Sequence, residues 1–112
     1  MRPQPWRLRV LLHFAHLAPI RCRFARFAAA QVAHNQPMLK PPESDSLDFE
    51  GEIAMVIGKG GRRISQADAL DHVVGFGIYN DGSVREYQRH TSQFTPGKNF
   101  AATGGFGPWM MT

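Results

Sequence analysis

Cysteine and long apolar runs are almost absent from this 112-residue chain. Cys22 is the only cysteine, so an internal disulfide is impossible and a secreted scaffold held by disulfides is excluded. No apolar run reaches the roughly 18 to 20 residues that a membrane-spanning helix requires. The length is that of a single domain, and a hydrophobic content of 43% is ordinary for a folded globular protein.

Acidic residues are missing from residues 1–42. That stretch contains six arginines and Lys40, a balance of +7, whereas residues 43–112 contain six basic and nine acidic residues, a balance of −3. The net charge of +4 therefore comes from the N-terminal third alone. This distribution argues against a nucleic-acid-binding domain, because such a domain displays its basic residues on the folded core.

Residues 1–23 form an Arg-rich segment that we expect to lie outside the fold. A mitochondrial-type targeting peptide fits its acid-free composition, although serine is absent and prolines interrupt any amphipathic helix. A secretory signal fits less well, because His13 and His16 interrupt the apolar stretch. A gene start in the wrong place or frame is the third interpretation. We expect a cytoplasmic protein, with mitochondrial targeting as the alternative.

Residues 47–58 are apolar apart from their carboxylates and predict a buried strand. Glu50 and Glu52 are two apart, so on a strand they point the same way with Cα atoms roughly 6.6 Å apart. Anions at that spacing repel by roughly 2.5 kcal/mol at an effective dielectric of about 20. A protonated carboxyl or a divalent metal between them would relieve the repulsion. The plainer interpretation is the solvated face of an edge strand.

The sequence beyond residue 58 predicts short elements joined by turns: a helix at 67–72 with Ser65 as N-cap, an apolar strand at 73–79, a polar helix or turn at 85–90, and a glycine-rich tail at 94–112 with one short strand. Gly75 and Gly77 share one face of the second strand and leave room for a bulky group.

Four polar residues in this region have both plain and functional interpretations. Asp81 lies in the turn Asn80-Asp81-Gly82-Ser83, where composition alone favours a turn former. Lys98 is by itself typical of a solvated loop. Arg85 and Gln88 are three apart, so they share a helix face that points either toward a pocket or toward water.

Three blocks of sequence belong together. They are Asp48-Phe49-Glu50-Gly51-Glu52-Ile53-Ala54-Met55-Val56-Ile57-Gly58-Lys59, then Ala69-Leu70-Asp71-His72-Val73-Val74-Gly75-Phe76 with Asn80-Asp81-Gly82-Ser83-Val84-Arg85-Glu86-Tyr87-Gln88, then Gly97-Lys98-Asn99-Phe100 with Gly107-Pro108-Trp109-Met110-Met111-Thr112. Their order and spacing resemble the pattern of the fumarylacetoacetate hydrolase family over residues 24–112, more loosely before Lys40. The resemblance implies an α+β, mainly β fold, a mixed β-sandwich roll with short helices that is incomplete in this chain.

The resemblance also implies a role for each candidate residue. Mg²⁺ or Mn²⁺ would be bound by Glu50, Glu52 and Asp81, since hard cations prefer oxygen ligands. Lys98 matches the family's active-site lysine, and Arg85 and Gln88 match positions that contact substrate in some members. The implied reaction is cleavage of a C–C bond in an acylpyruvate-like or related 2-oxo acid through a metal-stabilised enolate. Family members also decarboxylate or tautomerise 2-oxo acids, and the sequence does not choose among these reactions.

One part of the family's pattern is missing. The His–Glu pair that activates water, often read as Asn-Tyr-x-x-His-x-x-Glu, has no match before Glu43, and family members continue beyond Thr112. We therefore expect the central part of a catalytic domain, a homodimer in its full-length form, with a small-molecule substrate and neither nucleic acid nor membrane as partner. The alternative is a truncated, non-catalytic remnant of such an enzyme.

Overall fold

The computed structural model describes residues 23–112, and our interpretations of residues 1–22 lie outside them. Its strands are β1 (Gln31–Ala33), β2 (Leu47–Asp48), β3 (Gly51–Ile57), β4 (Val73–Asn80), β5 (Ser83–Val84) and β6 (Gly104–Met111). Its helices are α1 (Arg85–Gln88), α2 (Thr95–Lys98) and two 3₁₀ turns, Ala28–Ala30 and Ala69–His72. The predicted α+β, mainly β class is confirmed.

Two sheets organise the described residues. The larger has the strand order β1-β6-β4-β3, in which β1 runs parallel to β6 and the other pairs are antiparallel. The smaller consists of β2 and β5, paired antiparallel. Because β4 and β5 are separated only by Asp81 and Gly82, the two sheets meet at this point.

The central strand β4 needs glycines where bulky side chains of β6 cross it. A Cβ added at Gly77 would lie 2.7 Å from a ring carbon of Phe106, and one at Gly75 would lie 2.7 Å from Cγ of Met110. Real Cβ atoms do not approach so closely, so these two positions admit only glycine without rearrangement. The predicted room for a bulky group is confirmed.

The single buried strand predicted at residues 47–58 is wrong in two respects. The chain breaks after Asp48, so β2 pairs with β5 while β3 pairs with β4. Only one side of β3 is covered: Ala54 is 1% exposed, whereas Ile53 on the other side is 72% exposed. The sequence predicted burial because both faces of the strand carry apolar residues. A sheet covered on one side can still be apolar on the other side.

Two predictions about helices and the tail also need correction. Ser65 Oγ accepts the N–H of Asp68 at 3.2 Å, as a capping serine would, but only a 3₁₀ turn follows. The tail contains the one-turn helix α2 and the eight-residue strand β6, where the sequence predicted loops and one short strand. Two of its glycines are required by close packing: a Cβ added at Gly104 would clash with the hydroxyl of Tyr79 on β4, and one at Gly97 would lie 2.5 Å from the backbone nitrogen of Gln88.

One face of the larger sheet is apolar and uncovered within the described residues. We call it the apolar sheet face and define it by Ile53, Ile78, Trp109 and Met111, which are between 60% and 72% exposed. No helix in residues 23–112 is long and apolar enough to cross a membrane.

Candidate metal centre

Three carboxylates converge where the two sheets meet. Glu50 lies in the break between β2 and β3, Glu52 is the second residue of β3, and Asp81 follows β4. Each offers one oxygen, and these oxygens lie within 4.8 Å of one another. Sequence analysis predicted this set, and the structure brings it together.

The backbone fixes the positions of two of these carboxylate residues, Glu50 and Asp81. The N–H of Asp81 donates to the carbonyl of Glu50 at 2.8 Å. The N–H of Glu50 in turn donates to Oδ1 of Asn80 at 3.2 Å. These bonds continue the register in which Gly51 faces Asn80, so the pairing of β3 with β4 sets the separation of Glu50 and Asp81.

Lys98 lies beneath the carboxylates as the last residue of α2, and its side chain is fully buried. Its Nζ lies 2.6 Å from Oδ2 of Asp81 and 3.0 Å from Oε1 of Glu50. The local interpretation as a solvated loop lysine is therefore wrong. A buried ammonium group is tolerated because two carboxylates pair with it.

Arg85 and Gln88 lie on α1 at the side of the same cluster. Arg85 Nη1 lies 2.5 Å from Oε1 of Glu50 and donates to Oε1 of Gln88 at 2.9 Å. Its Nε and Nη2 both contact Oδ2 of Asp48, at 2.9 and 2.7 Å. The shared helix face of these two residues thus points toward the carboxylates and not into bulk water.

Glu52 differs from the other carboxylates. In residues 23–112 no cation lies within salt-bridge distance of it, and its Oε1 is buried without a hydrogen-bond partner. Burial, together with the charges of Asp81 and Glu50, raises the pKa of Glu52 to about 7. A buried oxygen with no donor, beside two further carboxylates, is the arrangement that a hard divalent cation would complete, so the residues present fit Mg²⁺ or Mn²⁺.

Glu50 is held ionised despite its partial burial. Burial alone would raise its pKa, but the hydrogen bond from Ser83 and the bond and charge of Lys98 outweigh it, so its pKa is lowered. Ser83 Oγ donates to Oε1 of Glu50 at 2.7 Å. Two neighbouring glutamates therefore have pKa values shifted in opposite directions, which is common where an enzyme needs distinct protonation states.

Sequence analysis missed Arg26 in this cluster. Its Nη1 lies 2.6 Å from Oδ1 of Asp81, and its side chain is 2% exposed. Arg26 follows the Arg-rich segment 1–23 closely in the sequence, and nothing there distinguishes it from the other arginines. Asp48 and Ser83 lie within the sequence motifs but are not predicted as site residues. Asp48 contacts Arg85 and Ser83 contacts Glu50 only because the chain breaks after β2.

The comparisons with known proteins identify the family of this chain. The family described as "Fumarylacetoacetate (FAA) hydrolase C-terminal" matches residues 14–112. The chain belongs to the fumarylacetoacetate hydrolase family. The boundary predicted at residue 24 is not decided by this match and stays a prediction.

Curated relatives of this family member include enzymes named as tautomerases. It is 40% identical to a mitochondrial oxaloacetate tautomerase, fahd2, of Xenopus laevis over 91 residues, which are 80% of this chain and 28% of the relative. It is 49% identical to the oxaloacetate tautomerase YisK of Bacillus subtilis over 65 residues, 58% of this chain and 22% of the relative. The chain thus spans less than a third of the length of these relatives.

Solved structures of the family share the fold. The fumarylacetoacetate hydrolase of Exiguobacterium antarcticum aligns with a TM-score of 0.81 at 29% identity, covering 94% of this chain and 42% of the other. The 5-carboxymethyl-2-hydroxymuconate delta-isomerase of Mycobacterium smegmatis aligns with a TM-score of 0.79 at 32% identity, covering 90% and 41%. The predicted family fold is confirmed for the described residues.

Proposed function

We propose that this chain carries the metal centre of an enzyme that forms an enolate from a 2-oxo acid. The observation that carries the proposal is the buried Oε1 of Glu52, which has no donor and lies beside Glu50 and Asp81. Bound Mg²⁺ or Mn²⁺ would supply Lewis-acid polarisation of the substrate's oxo oxygen. The three carboxylates would hold it.

Positive charge from the chain itself would support the same chemistry. Lys98 Nζ is fixed by Asp81 and Glu50, so its charge is in place before substrate arrives. A preorganised charge of this kind stabilises negative charge that develops on an oxygen without costly rearrangement. Arg85, whose side chain is 28% exposed, would attract a substrate carboxylate through the charge of its guanidinium, and Gln88 orients that guanidinium.

Keto–enol tautomerisation of an oxaloacetate-like acid is the first reaction that we propose. It moves a proton between carbon and oxygen through the enolate, and relatives with 40% and 49% identity are named oxaloacetate tautomerases. The second candidate is C–C cleavage of an acylpyruvate-like acid, supported by the structural likeness to a fumarylacetoacetate hydrolase. Each reaction passes through an enolate, and both would use the same metal ion and Lys98.

Parallel assays on the full chain would test the proposal. The conversion of enol-oxaloacetate and the loss of acetylpyruvate would each be followed by ultraviolet absorbance with Mn²⁺ and with EDTA. We expect metal-dependent turnover that falls at least about 100-fold in Glu52→Gln and in Lys98→Met, the range typical of losing a preorganised charge. Glu43→Gln is the matched control, because Glu43 is exposed.

The pattern of results would separate the candidates. Turnover of oxaloacetate alone supports the tautomerase, and turnover of acetylpyruvate supports the hydrolase. Mn²⁺ binding without either activity supports the non-catalytic remnant. A folded chain that does not bind Mn²⁺ or Mg²⁺ would contradict the metal centre itself.

The proposal extends to partners and location. We propose a small-molecule 2-oxo acid as the partner and a homodimer for the full-length form. The cytoplasm stays the proposed location, and the mitochondrion is the alternative that relatives named as mitochondrial favour.

A further inference from the structure

We propose that Arg26 is a positioning residue that holds the Asp81 carboxylate in the orientation in which it would bind a metal. Its guanidinium connects three separate points of the chain. Nη1 lies 2.6 Å from Oδ1 of Asp81 and donates to the carbonyl of Gly82 at 3.0 Å, and Nη2 donates to Oγ1 of Thr103 at 3.0 Å. The inference rests on the proposed metal centre.

The two carboxylate oxygens of Asp81 have different partners. Oδ1 is engaged by Arg26, whereas Oδ2 lies 2.6 Å from Lys98 Nζ, which also contacts Glu50. Oδ2 is therefore the oxygen on the side of the other carboxylates. With Oδ1 held by Arg26, the Asp81 carboxylate keeps Oδ2 directed toward Lys98 and the other carboxylates.

The surroundings of Arg26 are shaped to hold this guanidinium in one place. Its side chain is 2% exposed, and its Cζ lies 5.8 Å from the ring centre of Tyr79. A Cβ added at Gly104 would lie 2.8 Å from Nη2, so the slot exists only because residue 104 is glycine. Thr103 Oγ1 is itself fixed by donating to the carbonyl of Phe100 at 2.8 Å. A planar guanidinium that is preorganised in this way orients a carboxylate better than an ammonium group does.

Charge and positioning predict opposite effects on metal affinity. A cation beside a ligand repels a divalent metal, so loss of Arg26 would strengthen metal binding if its charge alone mattered. If Arg26 orients Asp81, its loss weakens metal binding, because the groups that orient a ligand typically contribute 10- to 100-fold to affinity. The sign of the change therefore separates the two roles.

Calorimetric titration with Mn²⁺ alone tests the proposal on the full 112-residue chain. We expect Arg26→Gln and Arg26→Lys each to weaken Mn²⁺ binding about 10- to 100-fold. Arg23→Gln is the matched control, since Arg23 is an exposed arginine three residues earlier, and it should bind Mn²⁺ as wild type does. Unchanged or tighter binding in a folded Arg26→Gln, or full affinity in Arg26→Lys, would overturn the proposal.

A second pair of variants decides the matter if the Arg26 variants do not fold. Thr103→Val removes the acceptor that anchors Nη2, and Thr103→Ser keeps it. We expect Thr103→Val to bind Mn²⁺ several-fold more weakly than Thr103→Ser, and equal affinities would overturn the proposal. If wild type itself fails to bind Mn²⁺, the proposed function falls, whereas wild-type binding with unaffected variants removes only the role of Arg26.

Discussion

Glu52 makes the stability of the metal-free protein depend on pH. Burial beside Asp81 and Glu50 raises its pKa in the fold from the ordinary value of 4.5 to about 7. The folded state holds this proton more tightly than the unfolded chain does, so the contribution of Glu52 to stability is complete below pH 4.5 and is lost as the pH rises through 7.

We therefore expect the free energy of unfolding in EDTA to fall as the pH rises from about 5 to about 8. Denaturant titrations at several pH values would measure it, and Glu52→Gln should remove most of the slope. An equal slope in that variant would assign the effect to another group. With Mn²⁺ present the trend should reverse, because a metal binds the ionised carboxylate and displaces its proton.

The sequence predicted the site residues that lie within recognisable motifs, and it missed those that only the fold brings next to the carboxylates. Glu50 and Glu52 are recognisable as carboxylates within an otherwise apolar strand, whereas Asp81 and Lys98 are identified only through the resemblance to the family. Arg26 contacts Asp81 across 55 residues, and no local pattern predicts such a contact. The orphaned oxygen of Glu52 likewise depends on side-chain packing in three dimensions.

At the scale of elements, the position of α2 depends on Gly97. A Cβ added there would lie 2.5 Å from the backbone nitrogen of Gln88 and 2.7 Å from its Cα, so α1 and α2 touch through their backbones. We expect Gly97→Ala to push α2 away, to destabilise the fold by about 1 to 3 kcal/mol, and to weaken Mn²⁺ binding through Lys98.

Denaturant unfolding and Mn²⁺ titration of the same variant would check this expectation. Gly60→Ala is a suitable control, since nothing lies within 4 Å of a Cβ added at Gly60. A Gly97→Ala protein with wild-type stability and affinity would show that α1 and α2 can separate without cost to the site.

The strands β4 and β6 show what an element-level prediction can and cannot reach. A continuous apolar run predicted β4 nearly to its ends, at 73–79 against the observed Val73–Asn80. The same approach failed for β6, because its glycines read as loop residues. Gly104 accommodates the hydroxyl of Tyr79 on β4, and such a neighbour is known only once the strand order is known.

At the scale of the whole molecule, the apolar sheet face is an exposed surface of consequence among residues 23–112. Ile53 and Trp109 are 72% and 71% exposed on it, and uncovered patches of such residues promote association. We expect the 112-residue chain to self-associate at micromolar concentrations and to bind a hydrophobic dye.

The double variant Ile53→Thr, Trp109→Thr should reduce both effects, because threonine suits a strand but removes most of the exposed apolar surface. Size-exclusion chromatography with light scattering and dye fluorescence would measure them. Leu70→Thr is the control, as Leu70 is 70% exposed but belongs to the 3₁₀ turn Ala69–His72 and not to the sheet. Association that survives the double variant but not the control would place the contact elsewhere.

The backbone bond between Asp81 and Glu50 gives the centre a built-in spectroscopic reporter. The amide proton of Asp81 is directed at the Glu50 carbonyl at 2.8 Å, so it can exchange with solvent only when β3 and β4 part at their ends. The rate at which this amide proton exchanges with deuterium therefore measures how often Glu50 and Asp81 separate. A metal that binds both carboxylates should slow that single proton more than its neighbours along β4.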